Sequence, residues 1–109
     1  MANTFKLKTK ANVGVTTVGI YTAPAATTTV VIGITMANTS GSGVNVGVGI
    51  TRAGITEDVK LLKNAPIPQG SSLEFMSGNK IVLEATDTVV VDSDTNNSVD
   101  AALTIMEIT

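Results

Sequence analysis

Between residues 66 and 91 the chain reads PIPQGSSLEFMSGNKIVLEATDTVVV, and its apolar runs are too short to make helices. The runs lie at 73–76, 81–83 and 89–91, separated by Pro68-Gln69-Gly70, Ser77-Gly78-Asn79 and Thr86-Asp87. With its flanking residues each run spans about five positions, a strand length. A chain punctuated in this way builds a core by stacking many short strands.

The remaining segments repeat that pattern. Residues 5–10, FKLKTK, place Lys6, Lys8 and Lys10 at every second position, the period of a strand. This predicts Phe5 and Leu7 turned into the core, with the lysines on the opposite face guarding an edge against wrong pairing. Ahead of it, Met1-Ala2-Asn3-Thr4 is polar enough to form a flexible arm. A second strand is expected over 15–22, with Val18 and Ile20 on one face, before Ala23-Pro24-Ala25-Ala26 turns the chain.

Residues 27–37 are the longest candidate, rich in side chains branched at Cβ that disfavour helix. Strict alternation puts Val30, Ile32, Ile34 and Met36 on one face and Val31, Gly33, Thr35 and Ala37 on the other. Residues 44–52 alternate as well, with Val44, Val46, Val48 and Ile50 opposite Asn45, Gly47, Gly49 and Thr51. Gly47 and Gly49 make a flat face on which a backbone can lie close, either within the sheet or from a partner. Residues 53–58 read as a turn, 59–62 as a short strand, 64–70 as an extended loop and 99–108 as a closing strand.

The expectation is an all-β fold: an antiparallel β-sandwich or jelly roll of eight or nine short strands at roughly ten-residue spacing. At 109 residues it forms a single domain over 1–109, with the arm at 1–4. The expected core is Ile32, Ile34, Val46, Val48, Leu73, Phe75, Ile81, Leu83, Val89, Val91, Leu103 and Ile105.

Composition removes most chemistry. The chain has no cysteine and no histidine, so it lacks thiolate ligands, the usual general base and the commonest metal ligand. Its nine carboxylates fall mainly in turns or at polar positions of alternating strands, where solvation is the default. Asp92, Asp94 and Asn96 occupy the first, third and fifth places of a calcium loop. Asn97 then stands where glycine is required and Leu103 where glutamate is required, which excludes an EF-hand; a solvated polar hairpin turn is the favoured reading, and a weak cation site shared with Asp100 is the alternative. Gly47 and Gly49 are followed by Arg52 rather than a third glycine, which removes the dinucleotide fingerprint. Asn38-Thr39-Ser40 and Asn96-Asn97-Ser98 match the glycosylation sequon and carry no functional weight without a secretory signal. No catalytic residue, cofactor or metal site is expected.

Partners are constrained too. A net charge of −2 argues against nucleic acid. The longest apolar run, 30–34, is too short to cross a bilayer, so no membrane is expected. Phe5, Tyr21 and Phe75 are the whole aromatic set, few for a site that stacks bases or sugars. A charged fraction of 15% and a mean hydropathy of +0.34 are unusual for a small free monomer. Two readings fit: surface buried against other protein, as in a homo-oligomer, or a Val- and Ala-rich sandwich with an ordinary surface. The contact residues suggested by pattern are Lys6, Lys8, Lys10, Gly47 and Gly49.

The stretches TTTVVIGITMANTS (27–40), KNAPIPQGSSLEF (63–75) and GNKIVLEATDTVVV (78–91), with the closing segment 100–109, resemble small structural virion proteins of tailed bacteriophages, especially marine and cyanobacterial ones. The resemblance covers most of the chain from about Tyr21 and rests on turn-and-strand signatures. It implies a β-sandwich virion component assembled in the host cytoplasm, partnered by the major capsid protein or by neck or tail proteins. A capsid decoration or cement protein is the leading expectation. A neck, tail or baseplate accessory, or a host- or glycan-binding adhesion module, is the alternative.

Overall fold

The computed structural model describes residues 3–52, 59–75 and 80–109, with the backbone alone at Phe75. Among these residues the regular elements are all strands: β1 (Asn3–Val13), β2 (Val18–Thr22), β3 (Thr28–Asn38), β4 (Val44–Thr51), β5 (Val59–Ile67), β6 (Ser72–Phe75), β7 (Ile81–Leu83), β8 (Thr88–Ser93) and β9 (Val99–Ile108). Two antiparallel sheets result. Sheet A runs β1-β9-β3-β6, with β7 pairing the earlier half of β3, and sheet B runs β2-β8-β4-β5. Apart from the hairpin β4–β5 and the consecutive β6 and β7, successive strands change sheets. This is the two-sheet connectivity of a jelly roll, with one edge strand split into β6 and β7.

The core lies between the sheets and follows the alternation where the ladder is regular. In β4, Val44, Val46, Val48 and Ile50 point inward and are buried. In β9, Val99, Ala101, Leu103 and Ile105 do the same. Ile34, Leu83, Val89 and Val91 complete the expected set of buried residues, while Leu73 and Ile81 pack against it half-buried. Phe75's side chain and the expected turn at 53–58 fall outside the described residues.

Three expectations are corrected. The first concerns Ile32, which is half-buried and outside the core, because the β3–β9 register shifts between Val31 and Gly33. That bulge advances the side-chain phase by one residue, so Val31 and Ile34 both face inward. The second concerns Phe5 and Leu7, which point away from the core and are 68% and 65% exposed. In β1 it is Lys6 and Lys8 that pair with the inward residues Ile105 and Leu103 of β9. The third concerns residues 64–67, which continue β5 rather than forming loop. β5 is the outer strand of sheet B, where Pro66 can pair without a ladder N–H to donate. Asn64, with φ near 55°, absorbs the irregular register beside it. Asn3 and Thr4, the inner half of the expected arm, are already paired with Ile108 and Glu107.

Candidate functional site

The two faces of β1 do different things. On the inner side, Lys6 Nζ lies 2.9 Å from Glu107 Oε1, and Lys8 Nζ stands 6.0 Å from the centre of the Tyr21 ring. The Tyr21 hydroxyl donates to Glu107 Oε2 at 2.6 Å and, with its proton so placed, accepts from Thr29 Oγ1 at 2.8 Å. Glu107 therefore continues the inward phase of β9 as a buried carboxylate whose partners all come from the chain. The Tyr21 hydrogen bond, and then Lys6, hold its carboxyl below the ordinary carboxylate value of 4.5. Burial, and then the bond to Glu107, push the Tyr21 phenol from 10.0 up to about 12. Lysine stems reach this margin because β1 ends the sheet, and their charged heads escape to solvent.

The outer side of β1 joins a continuous surface across sheet A. Phe5 pairs with Met106, Met106 with Val30, and Val30 with Val82, so four strands contribute to one transverse apolar row. Val82 is 59% exposed, and Met106 and Val30 are half-buried. Leu7 stands in the next row, opposite Thr104, which pairs in turn with Gly33. Beyond it the side chains become small: Thr9, Ala102, Thr35, Ala37 and Ala11 line a shallow groove of about 350 Å³ with Lys10 and Asp100 beside it. One face thus carries a ridge at one end and a groove at the other, with few charges between them.

The other contact residues suggested by pattern sit elsewhere. Gly47 and Gly49 are buried in sheet B. The backbone that approaches them belongs to this chain: a Cβ on Gly49 would lie 2.8 Å from the Val59 carbonyl oxygen and 3.5 Å from Val90 Cγ2. A Cβ on Gly47 would meet Asp92 Oδ1 at 2.6 Å. The carboxylates of the 92–100 turn are spent on separate partners. Asp92 accepts from Thr17 Oγ1, Asp94 from the Asn45 N–H, and Asp100 from the Asn12 N–H. Among the described residues no three acidic side chains converge as a metal site would require. Asn38 is buried and donates to the carbonyls of Ser42 and Ile67, which commits its amide to holding the 39–43 loop.

A second concavity, of about 420 Å³, opens at the end of the sandwich between Ile50, Arg52, Val59, Val82, Glu84 and Asp87. The cation among its described lining residues is already engaged: Arg52 Nε donates to Asp87 Oδ1 at 3.1 Å, and a second guanidinium nitrogen contacts Glu84. Those two bonds, Asp87 first, raise the arginine's pKa. Sequence reasoning named Phe5 and Leu7 but placed them inside. It missed Met106, Val30 and Val82 as surface residues and Glu107 as the acid under β1. The available signal was Glu107 itself, since Val99, Ala101, Leu103, Ile105 and Glu107 share one alternating phase.

No protein-family profile matches the chain, and no curated protein matches it by sequence. By fold it is similar to a structure of Bacillus endospore appendages, which form disulfide-linked pili. That likeness has a TM-score of 0.57 and 15% identity over 99% of this chain and 87% of that one. A pentameric capsid protein from metagenomic phage sequences aligns with TM-score 0.47 and 16% identity, over 94% of this chain and 59% of that one. At such identities the likeness is one of fold.

Proposed function

We propose that this protein is a non-enzymatic structural subunit of a tailed-phage virion, a decoration or cement protein of the capsid, with a neck or tail station as the alternative. The observation that carries the reading is the outer face of sheet A. Phe5, Leu7 and Val82 expose large apolar side chains there although the interior has its own complete core. A free monomer gains nothing from such a row, whereas a subunit buries it against other protein. The fold supports the reading, since similar architecture builds pili in the Bacillus endospore appendages. This chain, which has no cysteine, would hold its contacts without the disulfides of those filaments. The glycan-binding alternative loses ground because Tyr21 is buried and bonded to Glu107, which leaves Phe5 as the one exposed ring among the described residues.

The test is incorporation. Purified particles should contain the chain at a copy number comparable to the major capsid protein, and Phe5→Glu should lower that number sharply. A handful of copies would move the protein to the neck or tail. Absence from the particle overturns the reading.

A further inference from the structure

We infer that the outer face of sheet A is covered by a second copy of this chain, packed face to face about a two-fold axis that runs across the strands. This rests on the reading of that face as the assembly surface and names its partner.

The argument is geometric. Three transverse rows cross the sheet. The first is the apolar ridge Phe5–Met106–Val30–Val82, the second is Leu7–Thr104–Gly33, and the third is Thr9–Ala102–Thr35–Glu74 at the groove. A two-fold axis along the middle row keeps each strand over its own mate and exchanges the outer rows. Phe5 then meets the other copy's Thr9, Met106 meets Ala102, and Val30 meets Thr35. At these three pairs large side chains enter the space left by small ones, twice over, so this part of the patch is its own complement, while Val82 at the end of the ridge faces the other copy's Glu74. Leu7, Thr104 and Gly33 lie along the axis, each facing its own copy, so the two exposed leucines pack on one another at one end of it. Apart from its chain neighbours, a Cβ on Gly33 would meet nothing within 4 Å, so the Gly33 end of the row has room for close approach.

Charge and size agree with this arrangement. Asp100 lies beyond the groove row, so the two-fold sends the two copies of it to opposite ends and brings no like charges together. Glu74 sits at the margin, on β6, where it stays in contact with water. The molecule measures 45 × 29 × 21 Å, and the short axis suits the stacking of two sheets, so a sheet forms each broad face. Such a face has room for the roughly 800 Å² per partner that a stable interface buries.

The experiment combines sedimentation with a single engineered thiol, which reports cleanly because the chain has no cysteine. The unaltered protein should sediment as a concentration-dependent dimer. Gly33→Arg places bulk at the axis with open space around it in the monomer, and Phe5→Glu charges the ridge. Each should weaken association at least about tenfold while the circular dichroism of the fold is retained. Thr104→Cys should be joined to its own copy by a bis-maleimide about 10 Å long, the spacing of packed sheets. Val15→Cys, which places the thiol at an exposed site on the β1–β2 turn, should not. A strict monomer, a dimer unaffected by both substitutions, or Thr104→Cys that fails to cross-link overturns the inference. Sedimentation with emptied capsids separates the two readings. A monomer that binds them through this face sinks the two-fold alone, and a two-fold dimer that ignores them sinks the virion role alone.

Discussion

Tyr21 of sheet B donates a 2.6 Å hydrogen bond to Glu107 of sheet A, joining the two layers through a buried polar contact rather than through apolar packing. The carboxylate's second oxygen takes Lys6, and the phenol accepts from Thr29, so all four groups are satisfied. Tyr21→Phe keeps the ring and removes the donor. It should cost about 1–3 kcal/mol, because Thr29 and Glu107 each lose a buried partner. Urea unfolding measures this, and a loss near zero would mean that water replaces the phenol.

The same contact sets the response to pH. Glu107 is held below its ordinary value, so its contribution is present above the ordinary carboxylate range and is lost as pH falls through and below 4.5. Tyr21 is raised, so its contribution is complete below pH 10.0 and is lost as pH climbs toward about 12. Melting temperature should fall at both ends of the scale. In Tyr21→Phe the alkaline fall should vanish and the acid fall should shrink, which differential scanning calorimetry reads directly.

The inversion of β1 gives a contrast between two leucines. Leu103 is fully buried and Leu7 is exposed, though alternation alone assigned both to the core. Leu103→Ala should cost about 2–5 kcal/mol. Leu7→Ser should change monomer stability by no more than about 0.5 kcal/mol. Similar losses at both sites would return Leu7 to the interior.

Period-two patterning made the strands of this protein legible, along with the inward residues of β4 and β9, because the extra residues of the irregular pairings fall on β5, β3 and β1 and leave the phase of β4 and β9 unbroken. It could not decide which side of a lysine–apolar alternation faces in. That choice depends on Glu107, about a hundred residues away in the chain and adjacent only after β1 pairs β9. Nor could it foresee the bulge at Val31–Gly33, since a single inserted residue leaves composition unchanged while flipping every later side chain. The candidate face was therefore written in the sequence as a set of residues and hidden as an arrangement. Phe5, Met106, Val30 and Val82 come together only through three cross-strand registers.

The glycines test the intramolecular account of sheet B. A methyl at Gly49 meets the Val59 carbonyl oxygen at 2.8 Å, a backbone atom that moves only with its strand. A methyl at Gly47 meets a carboxylate oxygen at 2.6 Å, which a rotation of the Asp92 side chain relieves, and the Leu62 carbonyl oxygen only at 3.3 Å, a contact that a shift of a few tenths of an ångström removes. Gly49→Ala should therefore destabilise by about 1–3 kcal/mol, the cost of overpacking, and Gly47→Ala by less. Gly33→Ala meets open space and should be near neutral. Chemical denaturation of the three variants gives the ranking, and a reversal of Gly47 and Gly49 would refute this view of β5.

The turn that joins β7 to β8 is braced by one aspartate side chain, in addition to the backbone bond from the Asp87 N–H to the Glu84 carbonyl. Asp87 is buried, its Oδ2 accepts the Glu84 N–H at 2.9 Å, and its Oδ1 accepts Arg52 Nε at 3.1 Å. The chain there needs help, because Thr86 sits at φ 71°, a conformation that β-branched residues rarely adopt. Asp87→Ala removes both bonds at once, leaving the Glu84 N–H without its partner and the guanidinium with Glu84 alone, which should cost about 1–3 kcal/mol. Glu84 also contacts Arg52, but its side chain is 72% exposed, so Glu84→Ala should stay within about 0.5 kcal/mol. Arg52→Ala should fall between the two, since it strips one partner from Asp87 and leaves the turn bond in place. Thermal melts of the three variants in low and high salt separate the contributions. The Asp87 loss should persist in high salt, where any Glu84 effect fades. Equal losses for Asp87→Ala and Glu84→Ala would show that the arginine, rather than the aspartate, anchors this end of the sandwich.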